Sequence, residues 1–137
     1  MKQACVMLVL NQDGLILAVS RRNNPNKFGL PGGKCEENEQ DFKAAVRETL
    51  EETSVRVGGC TPFYSAVELR DCPEGQEFNT TCFYAVTWKG EPADSEEGSV
   101  KWMTSEELTS PEIGAFPVYN ANALESFKER FPQVKVV

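Results

Sequence analysis

A chain of 137 residues is long enough to bury one substantial core and too short for two ordinary domains, so residues 1–137 read as a single domain. With 14 Lys and Arg against 21 Asp and Glu, the net charge of −7 excludes the broad basic surface that a nucleic acid polymer requires of its partner. There is no histidine, which removes Ser-His-Asp and Cys-His nucleophiles and His-ligated metal centres and leaves chemistry to carboxylates, lysine, hydroxyls or a bound ion.

No apolar run reaches the roughly 18 residues needed to span a bilayer, and Met1-Lys2-Gln3 leads into no signal-peptide core with a small-residue cleavage site. The expectation is a soluble, cytoplasmic chain with no membrane partner. The five cysteines are scattered, odd in number and free of any Cys-x-x-Cys spacing, which fits reduced thiols better than a disulfide framework or a zinc site.

Residues 4–10 and 15–19 are continuous apolar runs around the turn signal Asn11-Gln12-Asp13-Gly14, predicting a hairpin whose strands are buried on both faces. A polar stretch, Ser20 to Lys27, leads into Phe28-Gly29-Leu30-Pro31-Gly32-Gly33-Lys34, where two glycines after a proline allow a sharp turn and close approach to a ligand. From about Asn38 to Thr53 the spacing of Phe42, Ala45, Val46, Thr49 and Leu50 predicts a helix with Asn38 or Glu39 as its cap. Residues 62–69 and 78–87 read as strands joined by 71–76, and Trp88-Lys89-Gly90-Glu91-Pro92 breaks the second of them. An acidic loop, 94–98, precedes a short strand at 100–103; Thr104 caps a turn at 105–108, and a last helix runs from about Asn120 to Phe131. A mixed β-sheet with helices on both faces is the economical architecture, placing the chain in the α/β class.

Glu48, Glu51 and Glu52 lie three and four residues apart on the first helix, a spacing that puts like charges side by side. Such a cluster is either a solvated face or a cation site. Arg47 lies four residues before Glu51 and can hold it.

The whole string decides between the two. Gly33, five residues, Glu39, seven residues, then Arg47-Glu48-Thr49-Leu50-Glu51-Glu52-Thr53-Ser54-Val55 resembles the Nudix box, Gly-x5-Glu-x7-Arg-Glu-U-x-Glu-Glu-x-Gly-U with U aliphatic, and six fixed positions match in register. Two positions depart from it. Thr49 replaces an aliphatic residue, and its hydroxyl can bond back to the preceding turn. Ser54 replaces a glycine near the helix end, where positive φ costs other residues on the order of 1 kcal/mol.

The resemblance implies a Nudix-type α/β/α sandwich and hydrolysis of a nucleoside diphosphate linked to another moiety, with Mg²⁺ or Mn²⁺ assisting water attack at phosphorus. It implies Glu48, Glu51 and Glu52 as metal ligands, the Gly33 carbonyl as a main-chain ligand, Glu39 as the residue that orients loop and helix, and Arg47 as partner of a carboxylate. These four helix residues form the implied catalytic set, with the general base a glutamate of either the helix or the acidic loop. The segment Trp88 to Met103 is similar to the stretch of MutT-type members that brings a further metal-site glutamate; Glu96 falls there without a gap and Glu97 with a one-residue shift.

Phe116-Pro117-Val118-Tyr119-Asn120 resembles the MutT-type segment whose asparagine reads an oxidised guanine. Asn120 is therefore either a base contact or a helix cap. Arg21, Arg22, Lys27 and Lys34 flank the glycine loop as phosphate contacts, Arg22 and Lys34 foremost, and Phe28 is a base-stacking or core residue. The leading expectation is a small-molecule nucleotide substrate, a nucleoside triphosphate such as 8-oxo-dGTP, cleaved to monophosphate and pyrophosphate. The alternatives are an ADP-ribose or sugar-nucleotide pyrophosphatase, favoured by Pro73 beyond the box, and a regulatory domain that binds nucleotide without turnover, disfavoured by the intact glutamates. Monomer and homodimer are both open.

Overall fold

The computed structural model describes residues 2–68 and 77–137. The elements in chain order are β1 (Lys2–Leu8), β2 (Ile16–Arg21), β3 (Asn24–Gly29), β4 (Gly32–Lys34), α1 (Asp41–Thr53), β5 (Arg56–Val57), β6 (Cys60–Glu68), β7 (Phe78–Ala85), β8 (Trp88–Lys89), β9 (Val100–Met103), α2 (Ser105–Thr109) and α3 (Pro117–Arg130). A four-stranded sheet runs β4-β1-β7-β6, with β1 and β7 parallel and the other neighbours antiparallel. A three-stranded sheet runs β3-β2-β9, and β5 pairs with β8.

Alternation along β1 explains why its apolar run is unbroken. Val6 and Leu8 enter a core with Ile16, Phe63, Leu124 and Phe127, whereas Cys5, Met7 and Val9 enter a second core with Ala44, Ala45, Val55 and Phe83. The central strand is thus covered by α1 on one face and by α3 on the other, the α/β arrangement expected from the sequence. On the α3 side Phe127 meets Phe63 and Tyr84 edge-on at 5.3 and 4.8 Å, and Tyr119 donates its hydroxyl to the Thr80 carbonyl at 2.8 Å. Among the described residues no helix is long and apolar enough to cross a membrane.

The predicted hairpin forms at its turn and then divides. Asn11 and Leu15 bond across the turn, and Leu17 donates to Val9, but β1 goes on to pair with β4 and β7 while β2 pairs with β3 and β9. Besides the two-residue pair β5 and β8, two strands have no counterpart in the sequence reading. β3 is polar, and β4 consists of Gly32, Gly33 and Lys34, so neither carries the apolar alternation that marks a strand. β4 can lie against β1 only because of its glycines: a Cβ on Gly32 would sit 2.0 Å from the Cys5 carbonyl oxygen.

α1 starts at Asp41 with Gln40 in the cap position and no side-chain cap bond, rather than at Asn38. Asn38 is a turn residue with φ 65, and Glu39 is turned toward Arg47 instead. α3 starts at Pro117, three residues before Asn120, with proline in the first turn where its missing N–H costs nothing. Trp88 and Lys89 break β7 as read but form a two-residue strand with β5. Thr104 caps α2 through a reciprocal box with Glu107. The connection 71–76, with Cys72 and Pro73, lies outside the described residues.

Thr49 is buried and donates its hydroxyl to the Ala45 carbonyl at 2.7 Å, so it packs without stranding a polar atom. Ser54 ends α1 in the left-handed region, φ 68 and ψ 7, with its N–H on the Leu50 carbonyl. Ser54→Gly should therefore stabilise the protein by about 1 kcal/mol, read as a higher urea midpoint at unchanged slope.

Candidate active site

Arg47 is the organising cation of α1. Its Nε and Nη2 donate to the two oxygens of Glu39 at 2.8 and 3.0 Å, a paired contact that a guanidinium makes with fixed geometry. Glu39 also accepts the Glu36 N–H at 3.0 Å, so loop 36–39 is clamped to the helix. The Arg47 hydrogen bond, helped by that N–H, holds the Glu39 carboxyl down at about 2. The remaining Nη1 donates to Glu48 at 3.1 Å and reaches Glu51 at 3.3 Å. Arg47 is thereby a positioning residue.

The carboxylates of Glu48, Glu52 and Glu97 converge, one oxygen of each lying within 4.8 Å of the others. Glu52 accepts the Gly32 N–H at 2.8 Å, joining helix and glycine loop. Burial, reinforced by the charges of Glu48 and Glu97 and opposed by the Gly32 N–H and Arg21, raises the Glu52 carboxyl to about 8. Burial raises Glu48 as well, against the pull of Arg47. Gly33 lies so close that a Cβ there would stand 2.9 Å from the Glu48 carboxyl carbon, while its carbonyl accepts the Cys5 thiol at 3.6 Å.

Glu97 arrives from the acidic loop. Ser95 and Gly98 exchange backbone hydrogen bonds, and the Ser95 hydroxyl accepts the Glu97 N–H at 3.1 Å. The loop is pinned to β2 by the Ser99 N–H on the Ser20 hydroxyl at 2.9 Å. In this turn Glu97 points inward and Glu96 is exposed, which corrects the gap-free placement of Glu96 at the metal site. One Glu97 oxygen accepts from Arg22 at 3.3 Å; the other is buried with no hydrogen-bond partner. Glu51 lies outside the trio, half-exposed and turned to Arg47.

Three carboxylates, one with an orphaned buried oxygen and two, Glu48 and Glu52, raised by burial, form a set suited to a hard divalent cation. Glu48, Glu52 and Glu97 are the residues that could hold it, with Gly33 adjacent. Above them opens a cleft of about 370 Å³ lined by Ser20, Arg21, Arg22, Gly32, Gly33, Lys34, Glu52 and Glu97.

Arg22 and Lys34 both line the cleft, Arg22 paired with Glu97 and the Lys34 ammonium over the Phe78 ring, 5.3 Å from its centroid. Phe28 does not: it is 6% exposed, part of the core, with Lys101 over its ring at 5.2 Å. Asn120 is 3% exposed, and its Nδ2 donates to the carbonyls of Leu108 at 2.9 Å and Ala115 at 2.8 Å. Both amide hydrogens are committed to the 108–115 segment, so Asn120 is neither a helix cap nor placed as a donor to a base. Sequence reasoning gave Glu97 and Arg21 secondary places and missed Ser20, whose role depends on a contact across the fold.

The NUDIX domain family profile matches residues 1–125. This chain belongs to the Nudix hydrolase family. A protein of Bacillus subtilis (strain 168), provisionally named an 8-oxo-dGTP diphosphatase, is 31% identical over 103 residues, which are 74% of this chain and 66% of that one. A MutT-like protein of Streptomyces ambofaciens is 26% identical over 124 residues, 86% of this chain and 73% of that one. The chain therefore spans about two thirds to three quarters of the length of these relatives. Among solved structures, the MutT Nudix hydrolase of Burkholderia pseudomallei superposes with a TM-score of 0.74 at 24% identity, covering 91% of this chain and 96% of that one. Nudix hydrolases generally use divalent cations, in keeping with the oxygen set of Glu48, Glu52 and Glu97.

The raised Glu52 carboxyl has a consequence for stability. The native state of the cation-free protein holds this proton more tightly than the unfolded state, so the contribution is full below pH ~4.5 and is lost as pH rises through about 8. With chelator present, the melting temperature should fall between pH 5 and pH 8.5. Glu52→Gln should flatten that fall, because the amide still accepts the Gly32 N–H without charging.

Proposed function

We propose that this Nudix hydrolase cleaves a nucleoside triphosphate to the monophosphate and pyrophosphate with Mg²⁺ as the preferred cation, an oxidised purine deoxynucleotide such as 8-oxo-dGTP being the leading candidate. The observation that carries the reading is the convergence of Glu48, Glu52 and Glu97 beside Gly32 and Gly33, with Arg21 and Arg22 lining the same cleft. Carboxylates that can hold a cation, beside arginines of the kind that meet phosphate oxygens, are what a polyphosphate–cation complex needs.

The choice of nucleotide rests on the name of the Bacillus subtilis relative rather than on Asn120, whose donors are spent inside the fold. A bound divalent cation supplies neutralisation of phosphate charge and activation of the attacking water. The chain's own part is geometric and acid–base. Arg47 fixes Glu39, and through it the loop before α1, while Gly32 fixes Glu52. With no histidine in the sequence, the group that takes the proton from water is a glutamate, and Glu48, Glu52 and Glu97 are the ones at the cleft.

The test is product analysis with Mg²⁺ and a panel of dGTP, 8-oxo-dGTP, dATP, dCTP, ADP-ribose, NADH and diadenosine tetraphosphate. The expected result is pyrophosphate and monophosphate from a triphosphate, with Glu52→Gln lowering kcat by about 10²–10⁴-fold while the variant melts no lower than the parent at pH 7. Turnover confined to ADP-ribose would contradict the substrate, and nucleotide binding without turnover of any compound would contradict the enzyme.

A further inference from the structure

Ser20 lies in β2 where the register with β3 shifts, and it is 6% exposed among the residues that line the cleft. A serine hydroxyl has one hydrogen to give and two lone pairs to fill. Both lone pairs are taken here, because the Ser99 N–H donates to Ser20 Oγ at 2.9 Å and the Ser99 hydroxyl donates to the same atom at 3.3 Å. The hydrogen of Ser20 is therefore directed away from Ser99, and among the described residues no group accepts it.

The surroundings fix where that hydrogen can go. The Ser20 N–H donates to the Ser99 carbonyl at 2.9 Å, and Gly98 packs so closely that a Cβ there would stand 2.7 Å from both the carbonyl oxygen and Oγ of Ser20. The acidic loop thus closes one side of the hydroxyl, and the cleft with Gly32, Gly33, Glu52 and Glu97 lies on the other. Neither neighbouring carboxylate takes the hydrogen: Glu52 accepts the Gly32 N–H, one Glu97 oxygen accepts from Arg22, and the other has no partner. A hydroxyl that accepts two hydrogen bonds is polarised toward giving a third, and a buried donor left unpaired costs free energy until an acceptor arrives.

We propose that Ser20 is a substrate contact: its hydroxyl donates to a phosphate oxygen of the bound polyphosphate while its lone pairs hold the acidic loop that carries Glu97. This rests on the polyphosphate reading given above and adds a contact to it. One oxygen atom then joins the substrate to the loop that brings Glu97 to the cleft.

Calorimetric titration with inorganic tripolyphosphate at saturating Mn²⁺, with Mn²⁺ binding titrated separately, tests it without requiring that the right nucleotide be known. Loss of the loop's seat weakens the cation, whereas loss of the donor weakens tripolyphosphate with the cation already in place. Ser20→Ala should weaken tripolyphosphate binding at saturating Mn²⁺ by about five- to fiftyfold. Ser99→Ala, which keeps the Ser20 hydroxyl and the main-chain bond to it but removes the second hold on the loop, should stay within about twofold of the parent. If Ser20→Ala does not fold, Ser20→Cys, close in size and with only a weak S–H donor, replaces it with the same expectation. Equal tripolyphosphate binding by parent and Ser20→Ala, a loss confined to Mn²⁺ binding, or an equal loss in Ser99→Ala would each overturn the proposal, the last two by reducing Ser20 to a support of the loop. Failure of the polyphosphate reading shows differently, as a parent protein that binds Mn²⁺ but no tripolyphosphate, and it removes the proposal with it.

Discussion

Arg47 is one cation among too many carboxylates, and the arrangement of the site follows from how it is shared. Two of its N–H groups go to Glu39 and a third is divided between Glu48 and Glu51. Nothing of it reaches Glu52 or Glu97. Arg47 thus ties Glu39, Glu48 and Glu51 together without neutralising them, and on the inner flank Glu48 and Glu52 meet a third carboxylate, Glu97. Burial there makes the excess costly, which is why Glu52 and Glu48 resist losing their protons in the absence of a cation.

The fold is arranged so that this excess falls at one place. β4 presses on β1 through Gly32, and the same residue donates its N–H to Glu52, so the sheet edge and the helix are registered by a single peptide. Loop 95–98 is fixed from the other side by Ser20 at the end of β2. Helix, glycine loop and acidic loop therefore meet at rigid strand ends rather than on free segments, the condition for holding oxygen ligands at a fixed separation. Arg21 and Arg22 follow Ser20 directly, so the strand that anchors the acidic loop also supplies the arginines that line the cleft.

The parts of this site that were legible in the sequence are those carried by one helix and one loop. The spacing of Glu39, Arg47, Glu48, Glu51 and Glu52 is a local pattern, the back-bond of Thr49 follows from its residue type, and the left-handed end at Ser54 from the glycine that the Nudix box has there. Resemblance to the Nudix box named the family. What was not legible depends on distant contacts. The choice of Glu97 over Glu96 is set by the Ser95–Gly98 turn and its anchor on Ser20, a contact 79 residues away in sequence. Asn120 was read from its place beside a helix start, but its partners Leu108 and Ala115 come from the preceding segment and consume its donors. β3 and β4 were hidden because their pairing is backbone-driven and their side chains carry no periodic signal.

Glu48, Glu52 and Glu97 are the set proposed to hold a divalent cation. Mn²⁺ binding to the parent protein, Glu96→Gln and Glu97→Gln at pH 7.5, measured by calorimetry in two buffers of different ionisation enthalpy, tests it most directly. The expected result is proton release on binding, affinity reduced by at least about tenfold in Glu97→Gln and unchanged within twofold in Glu96→Gln. Loss of affinity in Glu96→Gln with Glu97→Gln unaffected, or binding with no proton release, would contradict it.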